Sequence, residues 1–246
     1  LRREAPRFQQ GNRQSITHRH LQHGWSFLSY YFDDFIEPIP PQQQLGDKWY
    51  RGTADAIYQN LYLIDQYAKE DVLIVSGDHI YKMDYSKMWR FHKDNNADLT
   101  IATIECPVAS ASSFGVMVIN EDEQVIGFQE KPKNPTPMPT NPDLCLANMG
   151  VYIFKTRTLI ELLNSDANNE NSSHDFGKDI IPSMISSHRV FAYNFRDENK
   201  KTAQYWRDVG SIPAYFDSNM DLVSPAPELN LYDTEWPIRT NQEQYP

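Results

Sequence analysis

The chain has 246 residues, with 23 lysines and arginines against 33 aspartates and glutamates, a formal net charge of -10. That length buries a substantial core and excludes mini-protein folds, while the acidic balance excludes a general attraction for nucleic acid or anionic lipid, so any anionic ligand has to be held locally. With 40% hydrophobic and 23% charged residues and no aliphatic run longer than Val72 to Val75, no segment is predicted to span a membrane, and the two cysteines build no disulfide framework, so the cytoplasm is the expected compartment.

Thr53 is a plausible N-cap, and Ala54, Ile57, Leu61, Ile64 and Ala68 follow at steps of three and four, predicting one amphipathic helix. Val72 to Val75 then form a continuous apolar run closed by Ser76-Gly77-Asp78, which reads as a central strand buried on both faces of a parallel sheet. A helix is predicted over Asp84 to Asn95, a strand over Leu99 to Glu105, and a hairpin from Phe114 to Ile119 and Val125 to Gln129 across the polar turn Asn120 to Gln124. Between Pro132 and Pro142 lie five prolines, which continue neither a helix nor a ladder and mark an exposed loop or flap. Beyond it, Met149 to Phe154 reads as a strand, Leu159 to Leu163 and Phe176 to Ile185 as helices, Val190 to Phe195 as a strand, and Ser211 as the cap of a helix with Pro213 in its first turn. The expected fold class is α/β, with a mixed, mostly parallel sheet and flanking helices. In such sheets ligands bind outside the carboxyl ends of the strands, and Asp78 stands at such an end.

The 10 glycines are scattered, none closer together than Gly46 and Gly52, which excludes both G-x-G-x-x-G and the P-loop as phosphate cradles. Asp78 is either a ligand to a hard cation, which takes carboxylate, phosphate and water oxygens, or a turn aspartate capping the next segment. Asp208, within Trp206-Arg207-Asp208-Val209-Gly210, is either its partner or a loop residue paired with Arg207. Lys131, after Glu130 at a strand end, either holds a phosphate as a point charge or is simply solvated. Trp49-Tyr50-Arg51-Gly52-Thr53 leads into a helix N-terminus, where amides favour an anion, or else packs as a staple. His18, His20 and His23 lack a cysteine or carboxylate at zinc spacing, no G-x-S-x-G elbow is present, and the cysteines show no sign of a thiolate nucleophile.

Taken together, Trp49 to Ala56, Ser76-Gly77-Asp78-His79-Ile80-Tyr81, Phe114-Gly115-Val116-Met117, Glu130-Lys131-Pro132, Glu170 to Asp179, Tyr205 to Gly210 and Trp236 to Thr240 resemble the bacterial glucose-1-phosphate adenylyltransferases, from about Gln14 to the end. The resemblance implies a Rossmann-like nucleotidyltransferase domain, incomplete over 1–246, with 224–246 as the start of a linker toward a β-helix. By the same resemblance, the family's N-terminal glycine- and arginine-rich loop and its C-terminal β-helix are expected to lie outside these 246 residues. It further implies transfer of AMP from ATP to glucose 1-phosphate with Mg²⁺, in a full-length homotetramer that binds neither nucleic acid nor membrane. Asp78 would be the catalytic magnesium ligand and Asp208 the second carboxylate on the ion. Tyr50 and Gly115 would contact the nucleotide sugar, and Glu130 and Lys131 would engage glucose 1-phosphate. Asn148 stands where the family has a sugar-contacting serine, and Gln66 where bacterial members carry an arginine for the regulatory nucleotide, so the resemblance does not by itself imply AMP inhibition. The alternatives are a non-catalytic regulatory or degenerate chain that binds sugar phosphate or a partner, and a related enzyme using UTP or dTTP.

Overall fold

The structure is a computed structural model that describes residues 20, 21, 23–25, 36–39, 50–67, 71–197, 202–234 and 238. Its backbone groups into two units, one made of Leu1–Gln42 with Asn230–Pro246 and the other of Gln43–Leu229. The second unit carries the fold described below.

Helix α1 (Thr53–Tyr58) and helix α2 (Leu61–Tyr67) occupy the stretch predicted as one helix. The break has a local cause. The Asn60 side chain donates to the Ala56 carbonyl at 2.8 Å, taking the acceptor that its own backbone N–H would use in a continuous helix, and that N–H turns to Ile57 O at 3.0 Å instead. Gly52, not Thr53, is the N-cap of α1. Strand β1 (Asp71–Ile74) follows, then β2 (His79–Tyr81), helix α3 (Tyr85–Asp94), β3 (Leu99–Pro107), a 3₁₀ turn (Val108–Ser113), and the hairpin β4 (Gly115–Ile119) and β5 (Val125–Glu130). Asp84 caps α3 by accepting from Ser86 N at 3.0 Å. After the proline-rich loop come β6 (Leu144–Lys155), α4 (Thr156–Ala167), a π-turn (Phe176–Ile180) running into α5 (Ile181–Met184), β7 (Val190–Asn194), the short pair β8 (Arg196–Asp197) and β9 (Thr202–Ala203), β10 (Trp206–Asp208), and α6 (Ile212–Leu222) capped by Ser211.

The main sheet has six strands in the order β5-β4-β6-β3-β7, with β1 also laid against β6. β3 and β7 pair in parallel, while β6 runs antiparallel to β1, β3 and β4, and β5 antiparallel to β4. Strands β1, β3, β4 and β7 therefore point one way, and β5 and β6 the other, so the sheet is mixed and mostly parallel in direction. The particular expectation for Val72 to Val75 is corrected: β1 is not a strand buried on both faces with a parallel neighbour. It pairs antiparallel with the far half of β6, and Leu73 and Val75 are 41% and 49% exposed. Apolarity alone does not distinguish a central strand from one with a single partner among the described residues.

Side-chain alternation along β3 and β6 builds a core on each face of the sheet. Leu99, Ile101, Leu146, Tyr152 and Phe154 point to one face, where Ala54 of α1, Leu159 and Leu163 of α4, and Ile181 and Met184 of α5 cover them. Ala102, Ile104, Ala147, Met149, Val151 and Ile153 point to the other, packing with Met83, Met88, Phe195 and Trp206. The proline-rich loop is not wholly an excursion, since Met138 packs against the first core. The register slips once: Ile101 faces Tyr152 but Thr103 faces Asn148, so Met149 to Val151 bulge opposite Ala102. Gly150 takes the strained place in that bulge with φ of 68°. Among the described residues no helix is long and apolar enough to cross a membrane.

A buried carboxylate fixes the entry to α1. Asp55, 2% exposed, accepts from Arg51 N at 2.8 Å, Arg51 Nη2 at 3.2 Å and Gln59 Nε2 at 3.0 Å. Burial pulls its carboxyl pKa upward, but the hydrogen bonds from Arg51 and Gln59 outweigh it and hold the pKa below the ordinary aspartate range. Because the folded-state value is depressed, the stabilisation is fully present above the unfolded value and is lost as pH falls through the folded one. Asp55→Ala is expected to destabilise by about 2 kcal/mol at neutral pH, mostly by stranding the buried Gln59 amide, with the difference from wild type shrinking in acid. Urea melts at neutral pH and near pH 3 check both halves of that statement.

Candidate active site

The short ladder of β2 and β10 sets Asp208 directly opposite His79. Paired residues of an antiparallel ladder present their side chains on one face, with Cβ atoms about 5 Å apart. Asp78 precedes β2, and its backbone carbonyl accepts from Val209 N at 3.1 Å, which ties the turn after Gly77 to the turn after Asp208. One ligand atom from each of Asp78, His79 and Asp208 lies within 4.8 Å of the others, the one such group of three potential metal ligands among the described residues. Two acidic residues separated by 130 positions in the chain are thus brought together by a ladder three residues long.

The local bonds decide between the readings left open by sequence. Arg207 does not pair with Asp208. Its Nε donates to Asp221 Oδ2 at 3.0 Å, and its guanidinium lies over Tyr205. Asp208 Oδ1 accepts from Gly210 N at 2.8 Å, which orients the carboxylate. The Asp78 side chain is 64% exposed and its Oδ1 accepts from the Ser76 hydroxyl. Both carboxylates therefore face solvent with oxygen atoms to spare, the donor chemistry a hard divalent cation requires. Of the three histidines weighed for zinc, His18 lies outside the described residues, and His20 and His23 are not in the group of three.

Behind the carboxylates runs a row of rings. His79 meets Trp206 edge to face with centroids 5.1 Å apart, and Trp206 meets Phe114 in the same manner at 5.6 Å. Phe114 precedes Gly115, and its carbonyl accepts from Lys131 N at 3.1 Å. At Gly115 a side chain would collide with Phe128, since a Cβ would lie 2.7 Å from Cζ of that ring and 3.4 Å from Glu130 Oε2. Gly177 approaches the same two side chains, and a Cβ there would lie 3.6 Å from the Phe128 ring and 3.9 Å from Glu130 Oε2. Glu130 is thus framed by two glycines, and its Oε1 lies 4.0 Å from Lys131 Nζ, itself 65% exposed. Lys131 has φ of 45°, so the strand breaks sharply just where the lysine projects.

Asn148 occupies the β6 position at the bulge. It donates through Nδ2 to Tyr152 Oη at 3.0 Å and accepts from Gly150 N through Oδ1 at 2.9 Å. Burial raises the Tyr152 phenol to about 12, the Asn148 hydrogen bond acts against this, and the Asp175 and Glu130 charges add to it. Tyr50 accepts from Asn60 Nδ2 at 3.2 Å at the α1–α2 junction. Trp49 lies outside the described residues. The expected site residues therefore form a carboxylate pair, Asp78 with Asp208, and a second group, Gly115, Glu130 and Lys131. The row from His79 through Trp206 to Phe114 joins them. Asn148 and Tyr50 are held by separate bonds of their own.

Sequence reasoning assigned no role to His79, Trp206 or Gly177. His79 adjoins Asp78, and Trp206 and Gly177 sit within the quoted motifs, but only the ladder and the packing show what they touch.

The chain matches the nucleotidyl transferase family over residues 10–224, and it belongs to that family. It is 51% identical over 233 residues to a protein of Paramagnetospirillum magneticum named glucose-1-phosphate adenylyltransferase, covering 93% of this chain and 54% of that protein. Proteins of the same name from Dechloromonas aromatica and Rhodopirellula baltica are 50% and 49% identical over 93% of this chain. The chain spans about half the length of these curated relatives, 53% and 51% of the latter two.

Proposed function

We propose that the full-length protein transfers AMP from ATP to glucose 1-phosphate, giving ADP-glucose and pyrophosphate for glycogen synthesis. The observation that carries this reading is the convergence of Asp78 and Asp208 in a chain that is about half identical to proteins named for that reaction. An oxygen of the glucose 1-phosphate phosphate attacks the α-phosphorus of ATP in line. The bond from the α-phosphorus to the bridging oxygen breaks, and that oxygen leaves with pyrophosphate. Mg²⁺, when bound, neutralises charge on the phosphate oxygens as it shifts toward the leaving group. The carboxylates of Asp78 and Asp208 would hold that cation, and Gly210 N and the Ser76 hydroxyl orient the carboxylates. No side chain forms a covalent bond to the substrate, so catalysis rests on positioning and on charge.

Glu130 and Lys131 receive glucose 1-phosphate, the lysine placing its positive charge against the phosphate and the carboxylate accepting from sugar hydroxyls. Gly115 contacts the nucleotide sugar. Tyr50 serves the nucleotide sugar, and Asn148 the hexose, reaching further than a serine. The reading is tested by pyrophosphate release with ATP, magnesium and glucose 1-phosphate, using UTP and dTTP as competitors. Release that requires UTP or dTTP assigns a different nucleotide, and no release from the full-length protein overturns the reaction.

Lys131→Gln separates a phosphate-binding lysine from a solvated one. The substitution removes one charge-assisted contact at an exposed position, so KM for glucose 1-phosphate is expected to rise on the order of tenfold, with KM for ATP changing less than about threefold. Equal shifts in the two KM values would make Lys131 a surface residue.

A further inference from the structure

His79 is placed among the carboxylates without a hydrogen bond that would explain it. Its ring is 13% exposed, and Nδ1 is buried with no partner. The other nitrogen, Nε2, faces Asp78 Oδ1 at 3.5 Å, too far for a good hydrogen bond between the two groups. That spacing has another meaning. Two donors each about 2.1 Å from a common ion, and set at right angles or somewhat wider, lie about 3.0 to 3.5 Å apart. With Asp208 opposite in the ladder, one ring nitrogen of His79 and one oxygen from each aspartate lie within 4.8 Å of one another.

The surroundings hold the ring in that attitude. Trp206 packs against it edge to face at 5.1 Å. The bulge of β6 presses Gly150 against the Cε1–Nδ1 edge of the ring, where a Cβ on that glycine would sit 3.4 Å from Cε1 and 4.0 Å from Nδ1. A buried imidazole is costly when its nitrogens lack partners, and this one is clamped with Nε2 toward Asp78 in a ladder that pairs His79 with Asp208.

Resting on the reading of Asp78 and Asp208 as cation ligands, we propose that Nε2 of His79 is a third donor to the same divalent ion. Imidazole suits Mn²⁺ better than Mg²⁺, whereas two carboxylates alone discriminate poorly between them. The site is therefore a mixed nitrogen and oxygen site that takes Mn²⁺ in preference to Mg²⁺.

The experiment needs no turnover. Mn²⁺ alone is titrated into the protein and followed by electron paramagnetic resonance, and the spin-echo modulation is recorded for bound Mn²⁺. A directly bound nitrogen is expected, and growing the protein with isotope-labelled histidine changes its pattern without any mutation. His79→Leu removes the nitrogen signal and weakens Mn²⁺ binding on the order of tenfold, with Mg²⁺, measured by competition, losing less than about threefold. Wild-type Mn²⁺ binding that Asp78→Asn abolishes, but that shows no bound nitrogen, overturns the role of His79 and leaves the carboxylates in place. Failure of the wild-type protein to bind Mn²⁺ at all overturns the carboxylate site as well.

Discussion

Asp78→Asn is expected to lower the rate of nucleotidyl transfer by the full-length protein on the order of 10²-fold or more while leaving its melting temperature nearly unchanged. The two halves of that result have separate physical causes. The Asp78 side chain is largely exposed, and an asparagine Oδ1 still accepts from the Ser76 hydroxyl, so the turn keeps its shape. On the proposed reading, what disappears is the negative charge that would hold the cation, and with it the neutralisation of phosphate oxygens. Asp208→Asn is expected to behave alike, because Gly210 N donates as well to an amide oxygen as to a carboxylate. The double variant gives the sharper result. If both groups act on one ion, as proposed, the second substitution adds much less than the first, the signature of residues working as a unit. Rates measured for both singles and the double decide the matter. Fully multiplicative losses would place the two carboxylates in separate roles, and near-normal turnover in either single variant would remove that residue from the site.

Periodicity made the regular elements legible, and it failed where a tertiary partner decides. The span of α3, the hairpin of β4 and β5 and the cap at Ser211 follow from local patterns, and each stands where expected. The helix after Thr53 was legible as helix but not as two, because the competition for the Ala56 carbonyl depends on one rotamer of Asn60. β1 looked central because four apolar residues in a row carry no mark of which face is covered. The pairing of Asp78 with Asp208 lay beyond local pattern altogether. Strands β2 and β10 are three residues each, too short for a period, and nothing in Trp206-Arg207-Asp208 says that it pairs with His79-Ile80-Tyr81. Resemblance to a family named both acids. Geometry alone brought His79 into their company, and it released Arg207 to Asp221.

Gly52→Ala is expected to be among the most destabilising single substitutions in the chain, about 3 kcal/mol, equivalent to a drop in melting temperature of roughly 10 °C for a protein of this size. A Cβ at this position would lie 2.3 Å from the carbonyl oxygen of His174 and 2.5 Å from that of Ser173. Both obstacles are backbone, so no side-chain rotation relieves the overlap. The His174 oxygen is also fixed by function within the fold. It accepts from Ala54 N at 2.9 Å and Asp55 N at 3.4 Å, serving as the cap that Gly52 cannot supply with a side chain. His174 itself is held at φ of 55° with its Nδ1 2.7 Å from Asp166 Oδ2, and next to it Asp175 Oδ2 accepts from Thr53 Oγ1 at 3.1 Å. Moving the carbonyl aside thus breaks the cap of α1 and pulls on the turn that delivers Gly177 beside Glu130. The loss in stability should therefore come with a rise in KM for glucose 1-phosphate, even at temperatures where the variant stays folded. Gly77→Ala supplies the contrast, because a Cβ there meets nothing within 4 Å, and its melting temperature should match wild type within about 2 °C. Equal melting temperatures for the two variants would mean that the approach of His174 to Gly52 is not tight in solution.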